Sequence, residues 1–187
     1  MGPSLRREER VKVIKDLFIS LMWIAARYHS QWLQSFGLTH PQFMTLASLV
    51  AHRQSCAMRD LTEVTFQDPP TMTGIIDRLV KMRLVQRFRS ETDRRVVLVQ
   101  ATEAGIDLVR QIKEEATEHD LKVYEALTDE ELNQYEQLLR YLLRAHLGQF
   151  MALQGAELDS EIEKLQHFKD DPIHYMKQEK EKQRKVH

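Results

Sequence analysis

Residues 68–102 read DPPTMTGIIDRLVKMRLVQRFRSETDRRVVLVQAT, and this run decides the fold. Asp68 is a helix-capping residue type. Pro69 and Pro70 suit a first helical turn, where a missing N–H costs nothing and φ is already set. A helix is expected from Pro70 to Met82, with Ile75, Ile76, Leu79 and Met82 as its buried stripe. Thr71, Thr73, Asp77, Arg78 and Lys81 lie mostly elsewhere on it. Two β-type runs follow, LVQRF (84–88) and VVLVQA (96–101). They flank RSETDRR (89–95), a loop long enough to project.

Charge gathers at that loop. The chain of 187 residues has a formal net charge of −1, which argues neither for nor against a polyanionic partner. From Gly74 to Arg95, however, seven Lys/Arg stand against three acids, a local balance of +4. From Glu114 to Glu136, nine acids stand against Lys122 alone, a balance of −8. A patch of opposite sign to its neighbours steers a charged partner to one place.

Toward the N-terminus, residues from about Arg6 to Phe36 read as one long helix. Val11, Ile14, Phe18, Leu21, Ala25, Tyr28 and Trp32 recur along it at steps of three and four. Gly37 stops it. Thr39 caps a second helix, with Pro41 in the first turn and Phe43, Leu46, Leu49 and Val50 facing inward. HRQSC (52–56) breaks the pattern. MRDLTEV (58–64) makes a short third helix on Leu61 and Val64. Beyond the hairpin, Thr102 opens a helix through Leu108, Val109 and Ile112 to about Leu127. TDEE (128–131) is a capping box, and the helix it starts carries Leu132, Tyr135, Leu138, Leu139 and Leu142. After Gly148 and Gly155, ELDSEIEKLQHF (157–168) suggests a further helix. The tail from Lys177 has almost no apolar residue and reads as frayed or disordered.

Several function classes recede on composition. Hydrophobic content of 42% supports a core. Cys56, the single cysteine, excludes an intrachain disulfide, fits a reducing cytosol, and reads as an inert small residue or, as the alternative, a redox-sensing thiol. The N-terminus is charged and no run of 18 apolar residues occurs, so a cytoplasmic protein with no membrane partner is expected. His29, His40, His52, His119, His146, His167 and His174 are scattered without metal-ligand spacing, so neither a metal nor a cofactor is expected. No nucleophile–base pair or phosphate-binding glycine loop argues for an enzyme or for catalytic residues.

Three short helices followed by a hairpin is the element order of a winged helix-turn-helix, whose second turn helix enters the DNA major groove. On this reading Thr71, Met72 and Thr73 point at base edges, and Arg78 reaches a phosphate or pairs with Asp77. Arg89, Arg94 and Arg95 ride on a wing that enters the minor groove. Asp93 holds one guanidinium in place. Trp23, Tyr28, His29 and Trp32 line a pocket for a small effector or, as helix-spaced aromatics, a core.

Three motifs agree in order and spacing: LTHPQFMTLASL (38–49), TMTGIIDRLVKMRLVQR (71–87) and DRRVVLVQATEAG (93–105). With these the chain resembles the MarR family of transcription regulators, over about Val11 to Leu147. The resemblance implies a mostly α fold with a small β-hairpin wing and a helical dimerisation region. It implies a homodimer on a pseudopalindromic operator of double-stranded DNA, as a repressor, with a small aromatic effector that can loosen binding. The implied domains are a dimerisation helix (1–37), a winged helix-turn-helix (38–101), C-terminal dimerisation helices (102–148) and an extension (149–187). Two positions depart from the family pattern. Gly74 replaces a common base-contacting arginine, so specificity leans on Thr71, Thr73 and the wing. Arg83 replaces a common glycine before the wing, so either that residue takes a strained φ or the helix ends differently. The competing reading is a winged helix used as a protein-interaction module without sequence-specific DNA binding.

Overall fold

The computed structural model describes residues 6–65 and 67–176; the expectation for the tail from Lys177 falls outside them. The elements run α1 (Arg7–Ser35), α2 (His40–His52), β1 (Cys56–Ala57), α3 (Met58–Thr65), α4 (Pro69–Lys81), β2 (Val85–Arg89), β3 (Val97–Ala101), α5 (Glu103–Tyr124), α6 (Asp129–Met151) and α7 (Gly155–Asp170). Two compact units divide the chain, Met1–Phe43 and Met44–His187.

The first unit is dominated by α1. Its end is set by Gly37 at φ 73°. There the Gly37 N–H donates to the Gln34 carbonyl (2.9 Å) and the Leu38 N–H to the Leu33 carbonyl (3.1 Å). This is a Schellman closure that uses glycine's access to the left-handed region. Leu33 is the only residue of α1 that is buried. The expected apolar stripe is present but bare: Val11, Ile14, Phe18 and Leu21 are each more than half exposed.

The second unit carries the core. Leu46 and Leu49 of α2, Leu61 of α3, Met72, Ile76 and Leu79 of α4, Val99 of β3 and Val109 and Ile112 of α5 are all essentially inaccessible. Each fully buried aliphatic side chain contributes about 1.5–3 kcal/mol of hydrophobic stabilisation. The sheet has three antiparallel strands in the order β1-β3-β2, with Arg87 opposite Val99 and Arg89 opposite Val97. β1 was not anticipated. It is two residues long and pairs Cys56 with Val99, which buries the cysteine.

The junction around Leu84 fixes where the wing leaves the core. α4 ends at Met82, and Arg83 takes a positive φ of 61°. The Leu84 N–H then closes on the Leu79 carbonyl at 3.0 Å. This is the same closure that Gly37 provides, with arginine in the glycine position, the first of the two alternatives that the sequence left open. Thr102 clamps the junction from the other side. Its N–H donates to the Leu84 carbonyl (3.0 Å) and its hydroxyl to the Arg83 carbonyl (2.8 Å). Gly105 completes the clamp, because a Cβ there would lie 2.3 Å from the Leu84 carbonyl oxygen. The Thr-x-x-Gly pattern is thus a packing requirement between the start of α5 and the base of the wing.

Further along, Thr128 and Glu131 form the expected capping box of α6, with the Thr128 N–H donating to Glu131 Oε2 at 2.9 Å. α6 runs through Gly148 to Met151 and buries no residue of its own. A glycine costs a helix about 1 kcal/mol without having to end it, and Gly148 lies inside α6.

Candidate nucleic-acid interface

The N-terminus of α4 is built by Asp68. Its Oδ1 accepts the Thr71 N–H at 2.9 Å and its Oδ2 accepts the Thr71 hydroxyl at 2.7 Å. These bonds, the backbone one foremost, hold the Asp68 carboxyl below its ordinary value. Thr73 donates its hydroxyl to the Pro69 carbonyl at 2.9 Å. Thr71, Thr73, Gly74 and Arg78 are exposed on one side of α4. At Gly74 an added Cβ would meet nothing within 4 Å.

Met72 does not belong with them. It is fully buried, in the row Met72–Ile75–Ile76–Leu79 that faces the core. Its spacing from Ile75, Ile76 and Leu79 is the i, i+3, i+4, i+7 pattern of a buried stripe. A side chain on that face cannot also touch thymine methyl groups, so Met72 is a core residue and not the base contact expected of it.

The wing is tied by its own residues. The Ser90 N–H donates to the Val96 carbonyl (3.0 Å), and the Val96 N–H to the Asp93 carbonyl (2.9 Å). Asp93 does orient the tip, but through the backbone: its Oδ1 accepts the Arg95 N–H at 2.9 Å. The guanidinium contact expected of Asp93 is replaced by this turn bond, the usual use of Asp two residues ahead of an N–H. Arg89 also serves the loop. Its guanidinium donates to the Arg94 carbonyl at 2.9 Å and so braces the loop. Arg94 and Arg95 project exposed from the tip.

Two further arginines stand at the interface, and the sequence reading did not single them out. Arg87 of β2 pairs with Asp77 of α4 at 2.9 Å and locks the wing to the middle of that helix. Asp77 is therefore engaged from the wing, not by its neighbour Arg78. Arg59 opens α3, with its side chain 83% exposed. Arg59, Thr73, Arg87 and Arg95 border one cleft of about 440 Å³. Alternation along β2 places Arg87 and Arg89 on the same face, a pattern that could have flagged Arg87. Nothing local to α3 marks Arg59.

In the first unit, the aromatic residues expected around an effector are split. His29 packs near Trp32 (ring centroids 5.7 Å), His40 (5.2 Å) and Phe43 (6.0 Å). Trp23 stands apart, 62% exposed, with the Arg27 guanidinium 5.5 Å above its ring. Nine residues at about 100° each place Trp23 and Trp32 on opposite sides of a straight helix. One pocket cannot hold both.

Known proteins converge on the same assignment. The family model "Transcriptional regulator SarA/Rot" matches residues 27–112. The HTH-type transcriptional regulator YsmB of Bacillus subtilis is 29% identical over 132 residues, 69% of this chain and 90% of that one. The HTH-type transcriptional regulator YfiV of the same species is 32% identical over 116 residues, 62% of this chain and 71% of that one. The crystal structure of the Staphylococcus aureus MepR–DNA complex superposes with a TM-score of 0.55 at 25% identity, covering 70% of this chain and 96% of that one. Among the described residues no helix is long and apolar enough to cross a membrane. With its capped reading helix, arginine-tipped wing and clamped junction, the chain belongs to the MarR-type winged-helix family of DNA-binding transcription regulators.

Proposed function

We propose that the chain is a homodimeric repressor that reads a pseudopalindromic operator. The observation that carries this is the shared cleft, because Thr73 of the reading helix and Arg95 of the wing border one concavity with Arg59 and Arg87. A duplex laid there meets the start of α4 in its major groove and the wing tip in the adjoining minor groove. Thr71 and Thr73 face base edges, Arg94 and Arg95 enter the minor groove, and Arg59 and Arg78 take phosphates.

The threonines also carry a specificity. Both hydroxyl hydrogens are donated inside the protein, to Asp68 and to the Pro69 carbonyl. Each oxygen then offers lone pairs, which select the amino groups of adenine or cytosine in the major groove. With Gly74 supplying no side chain, these contacts and the wing carry the base discrimination.

Residues 38–101 read the DNA, and residues 1–37 with 102–148 form the dimer. The exposed apolar stripe of α1 and the exposed Leu138, Tyr141 and Leu142 of α6 support the second assignment. The gathering of His29 and Trp32 with His40 and Phe43 supports a small aromatic effector there, with Tyr28 next to His29 in sequence; Trp23 is outside that group. Such a regulator works in the cytoplasm, where duplex DNA is within reach.

The test is a binding titration on duplex DNA taken from upstream of the chain's own gene, repeated across salt concentrations. Affinity should fall steeply with salt, with a logarithmic slope of about −0.9 for each phosphate neutralised. Equal affinity for random duplex of the same length, or no salt dependence, would sink the proposal.

A further inference from the structure

The C-terminal extension ends in a contact that DNA reading does not use. After α6 the chain turns through Ala152 and Gly155, both at φ 54°, into α7. α7 folds back on α6: Arg144 pairs with Asp159, and Leu158 is buried against Gly148, where a Cβ would lie 3.3 Å from the leucine side chain. Gly148 is therefore a seat for α7. At the far end of α7, Asp171 starts a single helical turn over residues 172–176, its Oδ1 accepting the His174 N–H at 2.9 Å. The same carboxylate reaches Nδ1 of His52, the last residue of α2, at 3.0 and 3.1 Å. The His52 side chain is only 8% exposed. Ile173, two residues further on, is completely buried. The Tyr175 hydroxyl donates back to Glu161 at 3.4 Å and so ties the turn to α7.

A segment near a chain end frays unless something holds it. Here the holding groups are a fully buried isoleucine and a shielded carboxylate–imidazole contact across 119 residues of sequence. We propose that α7 and the turn after it form a strap joining α6 to the end of α2, and that Asp171 is a positioning residue for DNA binding. The strap leaves the DNA face open, since the cleft beside α4 and the wing is bordered by Ala57, α3, α4, β2 and residues 95–97 and not by α7. It acts by holding α2, the helix that precedes α3 and α4, and α6 as one body. Preorganisation of that kind raises affinity by removing motion that binding would otherwise have to freeze. The affinity part of the inference rests on the DNA-binding reading; the strap itself does not.

The experiment uses the full chain with Asp171→Asn and Asp171→Ala. Asparagine keeps the cap on residues 172–176 and gives up the charged contact with His52, whereas alanine loses both. Amide exchange should quicken roughly tenfold in residues 171–176 and at the end of α2 in the alanine variant, as expected for loss of a charged hydrogen bond, and less in the asparagine variant. Amides of β2 and β3 should stay slow, which reports an intact core. Affinity for the upstream duplex should fall roughly fivefold in step, the lower end of ordinary coupling between sites. Unchanged exchange in both variants overturns the strap. Quickened exchange with unchanged DNA affinity overturns the positioning role. A wild-type chain that binds neither upstream nor random duplex sinks the DNA-binding reading and the positioning role with it, while the exchange result still decides the strap.

Discussion

The stretch from α2 to the start of α5 and the long helices α1 and α6 use similar apolar residues to opposite effect. Between Leu46 and Ile112, short elements turn back on each other at Arg83, at the wing and at Thr102. Nearly every large aliphatic side chain that faces inward is covered within the unit. α1 and α6, at 29 and 23 residues, have one buried residue between them. Their leucines and aromatics stand in solvent, with Phe18 55% and Tyr141 71% exposed. A helix hides its stripe only if something lies beside it along its length. The winged portion supplies its own neighbours; on the proposed reading a second copy of the chain covers the long helices.

The largest expected effect breaks that contrast at its weak side. The paired substitution Phe18→Asp and Leu21→Asp should leave the winged portion folded and give a monomer by light scattering. Operator affinity should then fall by about a hundredfold or more, because the second half-site is no longer held at high effective concentration. A dimer that survives both charges would show that the stripe on α1 is covered in some other way.

On the other side of the contrast, Gly105→Ala tests how tightly the winged portion is closed. The new methyl would meet the Leu84 backbone, which cannot rotate away. We expect a loss of about 3 kcal/mol, the upper end of ordinary overpacking, read as a lowered denaturation midpoint with an unchanged slope. A neutral result would mean that α5 can slide on the wing base. Next in size, Arg94→Ala should weaken operator binding by about 2 kcal/mol and leave both stability and dimerisation alone, since its side chain is exposed at the tip. Unchanged affinity would remove the wing from the interface.

The same contrast explains how far the sequence could be read. The reading helix was legible because Asp68, Pro69 and Pro70 announce its start and Ile75, Ile76 and Leu79 its inner face. The strained Arg83 was legible as a non-glycine in a glycine position. Met72 was misplaced because its location near the helix start was given more weight than its phase, although its phase puts it with Ile75 and Leu79. β1 was illegible. Two residues carry no periodicity, and its partner Val99 lies far along the chain. Trp23 was grouped with Trp32 by type and not by angle. Asp93 was expected to hold a guanidinium, and Arg89 to contact DNA. The hairpin used both on backbone groups first, which no spacing rule reveals. The link between Asp171 and His52 depends on tertiary folding alone.

A smaller effect runs in the stabilising direction. Arg83 holds a left-handed φ that glycine adopts without cost, and Gly37 does so at the end of α1. Arg83→Gly should therefore raise stability by about 1 kcal/mol, the steric penalty of a side chain in that region, partly offset by glycine's greater freedom when unfolded. A fall in stability would mean that the arginine stem packs on the wing base strongly enough to outweigh its strain.

The smallest effect concerns the reading helix itself and follows from the Asp68 cap. Its carboxyl is held below the ordinary value by the Thr71 N–H and hydroxyl. A group whose pKa is lowered on folding adds stability that is fully present above the unfolded value and is lost as pH falls through the folded one. The wild-type chain should therefore lose part of the α4 cap only in acid, below the ordinary carboxylate range, and show none of this near neutrality. Asp68→Asn keeps a capping oxygen but cannot titrate. The difference in melting temperature between the two should shrink as the solution is acidified from pH 7 to about pH 3, the range that spans carboxylate titration. A difference that stays constant would place the worth of Asp68 in its shape and not in its charge, and would leave the first turn of the reading helix equally firm at every pH.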